Sequence, residues 1–143
     1  MKEQTYKLFA NESVESIVGE IVKELETRNE SPFWKEKVEP FSEAILSVLV
    51  PLRDNGILFD PQGAKVEVLT PELFLEWSDF VSLKMLLFKI AKSNEAGDTH
   101  IDLEKLGTYL SRYSVNLENE ALDFPIANYN LHQGVSNVIK SLL

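Results

Sequence analysis

Proline fits an α-helix comfortably only in its first turn, and that rule constrains this chain more than any other feature of its sequence. Ser31-Pro32-Phe33-Trp34 and Thr70-Pro71-Glu72-Leu73 each set a hydroxyl residue immediately before a proline. Serine and threonine are preferred N-caps, and proline at the first helical position lacks only an N–H that would have gone unbonded there. Both junctions therefore predict helix starts. After Pro32, the residues Trp34, Val38, Phe41, Ile45, Val48, Leu49 and Leu52 share one helical stripe, the pattern of a helix whose apolar side rests on a core. Trp34 and Phe41 are accordingly expected to be core residues. Pro40 lies within the stripe and is expected to kink the helix, because it removes one backbone hydrogen bond. Pro51 poses the same question near the end, and Asn55-Gly56 supplies a stop.

Upstream, Val14, Ile17, Val18, Ile21, Val22 and Leu25 predict an amphipathic helix from Asn11 or Ser13 to Asn29. Glu12 and Glu15 fall in its first turn, where the helix dipole favours negative charge. Residues 1–10 have no clear period and read as a lead-in in which Tyr6, Leu8 and Phe9 are the packing side chains. Between Ile57 and Leu69 the character changes. Asp60-Pro61-Gln62-Gly63 has the composition of a turn and residues 65–69 alternate polar with apolar, so this stretch is a loop or one tiny hairpin, two strands alone being marginal.

Helical spacing returns after Thr70 with Leu73, Phe74 and Trp77. A break is expected at 79–82, with Ser82 capping a helix that carries Leu83, Leu86, Leu87 and Ile90. A polar loop over 93–101 follows, then a helix capped by Asp102 with Leu103, Leu106, Leu110 and Tyr113. Residues 114–127 are irregular, and a final helix from about Tyr129 turns Val135, Val138, Ile139 and Leu142 inward. The sum is an all-α fold: one domain over residues 1–143, an irregular bundle of five to seven helices with at most one short hairpin at 57–69.

Charge narrows the function. The chain carries a net −9, with sixteen acids against eight bases in residues 1–79 and seven against six in 80–143. DNA binding relies on lysine and arginine to neutralise phosphates, so the N-terminal half is poorly suited to it. The six bases of the C-terminal half, Lys84, Lys89, Lys92, Lys105, Arg112 and Lys140, are too scattered along the sequence to promise one basic face. No apolar run reaches the ~18 residues of a membrane span, and the N-terminus lacks the basic flank and apolar stretch of a signal peptide. A soluble chain with no address of its own and no direct membrane contact is expected. Zero cysteines exclude disulfides and thiolate metal sites.

Catalytic patterns fail one by one. No GxxxxGK[ST] run offers a cradle for phosphates. Residues 94–105 resemble the second half of a calcium loop, but Ala96 takes a ligand position, Thr99 stands where the sharp turn wants glycine, and Lys105 replaces the bidentate glutamate. His100 and His132 have no ligand partner at metal spacing and read as solvent-facing or internally satisfied. Trp34 and Trp77 read as core rather than as ligand cages. No catalytic residue, cofactor or metal is expected.

The order of helices resembles one family, the all-alpha domain of type IV secretion coupling proteins, closest to the I-type plasmid and Dot/Icm-like branch. The residues that carry the resemblance are the amphipathic stretch 14–25, Pro32-Phe33-Trp34 opening a long helix, and Leu52-Arg53-Asp54-Asn55-Gly56-Ile57-Leu58 closing it. Leu69-Thr70-Pro71-Glu72-Leu73 and the His132 to Gly134 region complete the set. The spacing in Asn130-Leu131-His132-Gln133-Gly134 departs from that branch. The resemblance implies an insertion excised from a larger hexameric motor ATPase, placed at the cytoplasmic face of the bacterial inner membrane. Its role would be to recognise substrates for conjugation or effector export, with no enzymatic activity of its own. Residues near 8 and 140 should then lie close together.

The implied partners are the rest of the motor and a protein substrate: a relaxase, a relaxosome component or an effector signal. DNA is disfavoured by net charge. A basic or amphipathic signal would be drawn to the outward acids Glu12, Glu20, Glu26 and Glu30, which are the candidate binding residues. The alternative is a free-standing helical adaptor or regulatory protein-binding module.

Overall fold

The computed structural model describes residues 2–29, 31–119 and 123–143, and within them the chain forms seven helices and no strand. These are α1 (Lys2–Asn11), α2 (Val14–Thr27), α3 (Pro32–Asp54), α4 (Pro71–Glu76), α5 (Phe80–Glu95), α6 (Glu104–Arg112) and α7 (Ile126–Leu142). No helix among the described residues is long and apolar enough to cross a membrane.

Both proline junctions start helices as expected. Pro32 and Pro71 are the first residues of α3 and α4, and the Thr70 hydroxyl accepts the N–H of Leu73 at 3.1 Å. Ser13 caps α2 in the same way through the N–H of Ser16. The helical assignment of α3 runs unbroken through Pro40 and Pro51. Its residues from Phe41 to Leu52 are buried on nearly every side, as in a helix enclosed by others. α3 is the hub: α2, α4, α6 and α7 all pack against it, α1 packs on α2 and α4, and α5 on α6. Phe41 is fully buried, whereas Trp34, at the outer end of α3, is only half-buried. The indole of Trp34 packs closely on Gly134 of α7, where an added Cβ would come within 2.7 Å of Cη2.

Several local expectations are corrected. Residues 2–11 form α1 rather than a lead-in, with Phe9 buried against Phe74 at 5.5 Å between ring centroids. The reason is tertiary. Arg53, near the end of α3, donates to the carbonyls of Phe9 and Glu12, both at 2.8 Å, and so terminates α1 from outside. Tyr6 of α1 also donates its hydroxyl to the Glu72 carboxylate on α4. α5 is capped by Asp79, whose carboxylate accepts the N–H of Val81, and not by Ser82, which lies inside the helix. α7 begins at Ile126, directly after Pro125, three residues earlier than expected.

The stretch 57–69 contains one antiparallel bridge, Phe59 with Lys65, and remains a tiny ribbon. At the other end of the bundle, Leu8 and Leu142 line one small hollow, so the neighbourhoods of residues 8 and 140 meet.

Candidate docking cleft

Among the described residues two gatherings of ionisable and aromatic side chains stand out, one centred on a buried histidine and one lining an open cleft. The closed gathering surrounds His132 of α7, which is fully buried. Its Nε2 meets the carbonyl oxygen of Ser78, and its Nδ1 lies 2.8 Å from the hydroxyl of Tyr109 on α6. A carbonyl can only accept, so Nε2 carries the proton and donates, while Nδ1 accepts from the phenol. The ring stacks on Phe80 at 4.0 Å and lies 5.0 Å from Phe41. Burial lowers the His132 pKa to about 4, opposed in part by the Ser78 carbonyl and the charge of Asp79. Burial likewise pushes the Tyr109 phenol up, and Tyr113 adds to the effect.

At neutral pH both groups are therefore uncharged and each is hydrogen-bonded. They brace α3, α6, α7 and the α4–α5 junction. General acid–base work would require a ligand within hydrogen-bond reach of the ring, and His132 has no exposed surface to offer one. His100 differs, being exposed in the loop after α5.

The open gathering is a cleft of about 630 Å³ between α5 and the 59–63 turn, within the ~300–1,000 Å³ typical of ligand sites. Its ribbon wall is locally fixed. Asp60 Oδ1 accepts the N–H groups of Gln62 and Ala64, and the Leu58 carbonyl accepts from Val66. Trp77, almost wholly buried at the base, donates its indole N–H to the Phe59 carbonyl at 3.1 Å and meets the Phe59 ring edge-on. These contacts, with Leu58 and Leu69 buried in the core, tie the ribbon to the bundle.

The helical wall is α5. Met85, Lys89 and Lys92 are spaced by four and three residues and share a face. Lys84 and Phe88 line the cleft beside them. The Lys89 ammonium sits 4.3 Å from the Phe59 ring centroid, and that of Lys84 5.6 Å from the Phe88 centroid, both within cation–π range. Lys84 is only 3% exposed, whereas Met85 is 51% exposed.

Three of the six bases expected to be scattered thus converge on one concavity. Helical spacing along α5 carried the signal for Met85, Lys89 and Lys92, but no local pattern announced that Phe59 would face them.

The acids expected to bind a partner lie elsewhere. Glu12 is exposed beyond the end of α1, Glu20 is half-buried on α2, and Glu26 is exposed in the last turn of α2. Glu30 lies outside the described residues. None of Glu12, Glu20 and Glu26 lines the cleft. In the 94–105 loop, which resembles half of a calcium loop in sequence, the Asn94 side chain bonds Ile101 through both its backbone groups and accepts from the Thr99 hydroxyl. The loop is thereby held by its own amide. Among the described residues no group of three or more histidines and carboxylates could hold a metal. No family model, curated protein or solved structure matches the chain.

Proposed function

We propose that this chain is a docking domain that recognises a protein segment and leaves the chemistry to others. In the terms of its resemblance, it is the substrate-recognition domain of a type IV secretion coupling protein. There it would hold a relaxase, a relaxosome component or an effector signal for a hexameric motor at the inner membrane. The observation that carries this reading is the open cleft on α5, with a mixed apolar and cationic lining on a fixed frame. A preformed surface of that kind binds without a large ordering cost. The meeting of Leu8 with Leu142 suits a domain set into a larger protein. A net charge of −9 opposes binding along a phosphate backbone, which favours protein over DNA.

The test is a calorimetric titration with the signal segment of a substrate of the same secretion system, and in parallel with duplex DNA, at low and physiological salt. Saturable binding of the protein segment that weakens with salt is expected. Tight DNA binding with no response to the protein segment would reverse the reading.

A further inference from the structure

We propose that α1 is a detachable strap: a helix folded only while docked, latched at its C-terminal end by Arg53 of α3, whose release bares an apolar face of the bundle around Phe74.

Length is the first reason. α1 has 10 residues, fewer than the ~12–15 at which a helix persists alone in water. Among its described side chains Thr5 and Phe9 are the buried ones. α2, by contrast, buries Ile17, Val18, Ile21 and Leu25 along a full stripe. α1 is therefore helical because the bundle holds it, and away from the bundle it becomes coil.

The attachment is the second reason, because it is concentrated at one residue. The Arg53 side chain is 8% exposed. Its Nη1 donates to the Phe9 carbonyl and its Nη2 to the Glu12 carbonyl, both at 2.8 Å. Asp54 Oδ1 accepts from Nε at 3.0 Å and from Nη2 at 2.8 Å. The fork is thus oriented by a carboxylate on its own helix and stays so when α1 leaves. A second polar attachment, Tyr6 to Glu72 of α4, is exposed and competes with water.

The joint is the third reason. α2 does not lean on α1 for its start: the Ser13 hydroxyl accepts the N–H of Ser16, and Ser13 itself is extended. Glu12 and Ser13 can therefore swing without unwinding α2. Beneath the strap, the Phe9 ring lies 5.5 Å from that of Phe74, and Leu8 and Phe9 share a small hollow with Ile17, Ile21 and Leu142. Release uncovers this surface while the contact of Phe74 with Phe41 stays in place.

The experiment is amide hydrogen exchange of the full chain, read residue by residue by NMR at several low urea concentrations. In the native chain, amides of residues 6–11 are expected to exchange roughly tenfold or more faster than those of 41–52, with a shallower dependence on urea. Arg53→Met keeps the apolar stem and removes the fork. It should speed exchange over 6–11 by a further tenfold or so, leave 41–52 protected, and raise bis-ANS fluorescence as the Phe74 face is bared. Arg53→Lys should recover part of the protection, an ammonium being a point donor where the guanidinium is a fork. His132→Gln, remote from α1, should speed 41–52 and leave 6–11 unchanged.

One common rate and one urea dependence for 6–11 and 41–52 would make α1 part of a single cooperative unit and overturn the proposal. So would His132→Gln speeding both segments alike. Exchange over 6–11 or bis-ANS fluorescence unmoved by Arg53→Met overturns it too, as does an Arg53→Met chain that circular dichroism finds unfolded, since Arg53 would then hold the whole bundle.

Discussion

His132 and Lys89 are both ionisable side chains set among aromatic rings, yet their surroundings make opposite demands. His132 has two hydrogen bonds, a stacked Phe80 and no exposed surface, so its environment selects the neutral form. Lys89 is exposed, covers Phe59 and lines an open cleft. The difference teaches that aromatic company alone marks neither a core nor a site. What separates them is whether each polar atom has been given its partner inside the fold. The His132 layer should report on stability and the cleft on binding, and substitutions can break or sharpen that division.

The largest effect is expected from Phe41→Ala, which removes a ring in contact with Phe74, Tyr109 and His132. Deleting a buried aromatic of this kind costs ~3–5 kcal/mol, read as a shift of the urea midpoint. Next comes pH. The folded-state pKa of His132, about 4, lies below its ordinary 6.5, so as pH falls the unfolded chain takes up the proton first. The brace is at full strength above pH 6.5, and its contribution declines through that window to about pH 4, by ~3 kcal/mol in all. Urea melts of the native chain and His132→Gln across this range should converge as the pH falls.

Gly134→Ala is expected to cost ~1–3 kcal/mol by driving a methyl into the Trp34 indole, and Trp34→Leu in the same molecule should recover part of the loss. Ser42→Ala should run the other way. Its hydroxyl is fully buried with no partner among the described residues, so removing it is expected to stabilise by ~1 kcal/mol in the same melts. Lys89→Ala should sit within ~0.5 kcal/mol of the native chain, as exposed substitutions do, while still weakening capture of a substrate's signal segment. A large stability loss there would erase the contrast between the two regions.

The sequence disclosed what is decided locally. Ser13, Thr70 and the prolines at 32 and 71 act on N–H groups within one turn, and the stripes of α2 and α3 need only their own spacing. The expected all-α bundle followed from those. α1 stayed hidden because it is held from afar, by Arg53 on the carbonyls of Phe9 and the following Glu12 and by Glu72 on Tyr6 at mid-helix. Asp79 and Ser82 are both plausible caps in sequence, and only the path of the chain after Trp77 decides between them. The role of His132 depends on Tyr109 and Ser78, which lie 23 and 54 residues away. The cleft was half legible: the α5 face could be drawn on a helical wheel, but its opposite wall is supplied by a ribbon placed by long-range contacts, the Trp77 indole on Phe59 and the burial of Leu58 in the core.

The central claim is that ligands meet this protein at α5 and the 59–63 turn while the His132 layer stays shut. Amide chemical-shift mapping during titration with the signal segment of a substrate at physiological salt tests it most directly. We expect shifts confined to residues 59–63 and 84–92, with the amides around His132 and Tyr109 unmoved. Shifts running instead along residues 14–27, or opening of the His132 layer on binding, would contradict it.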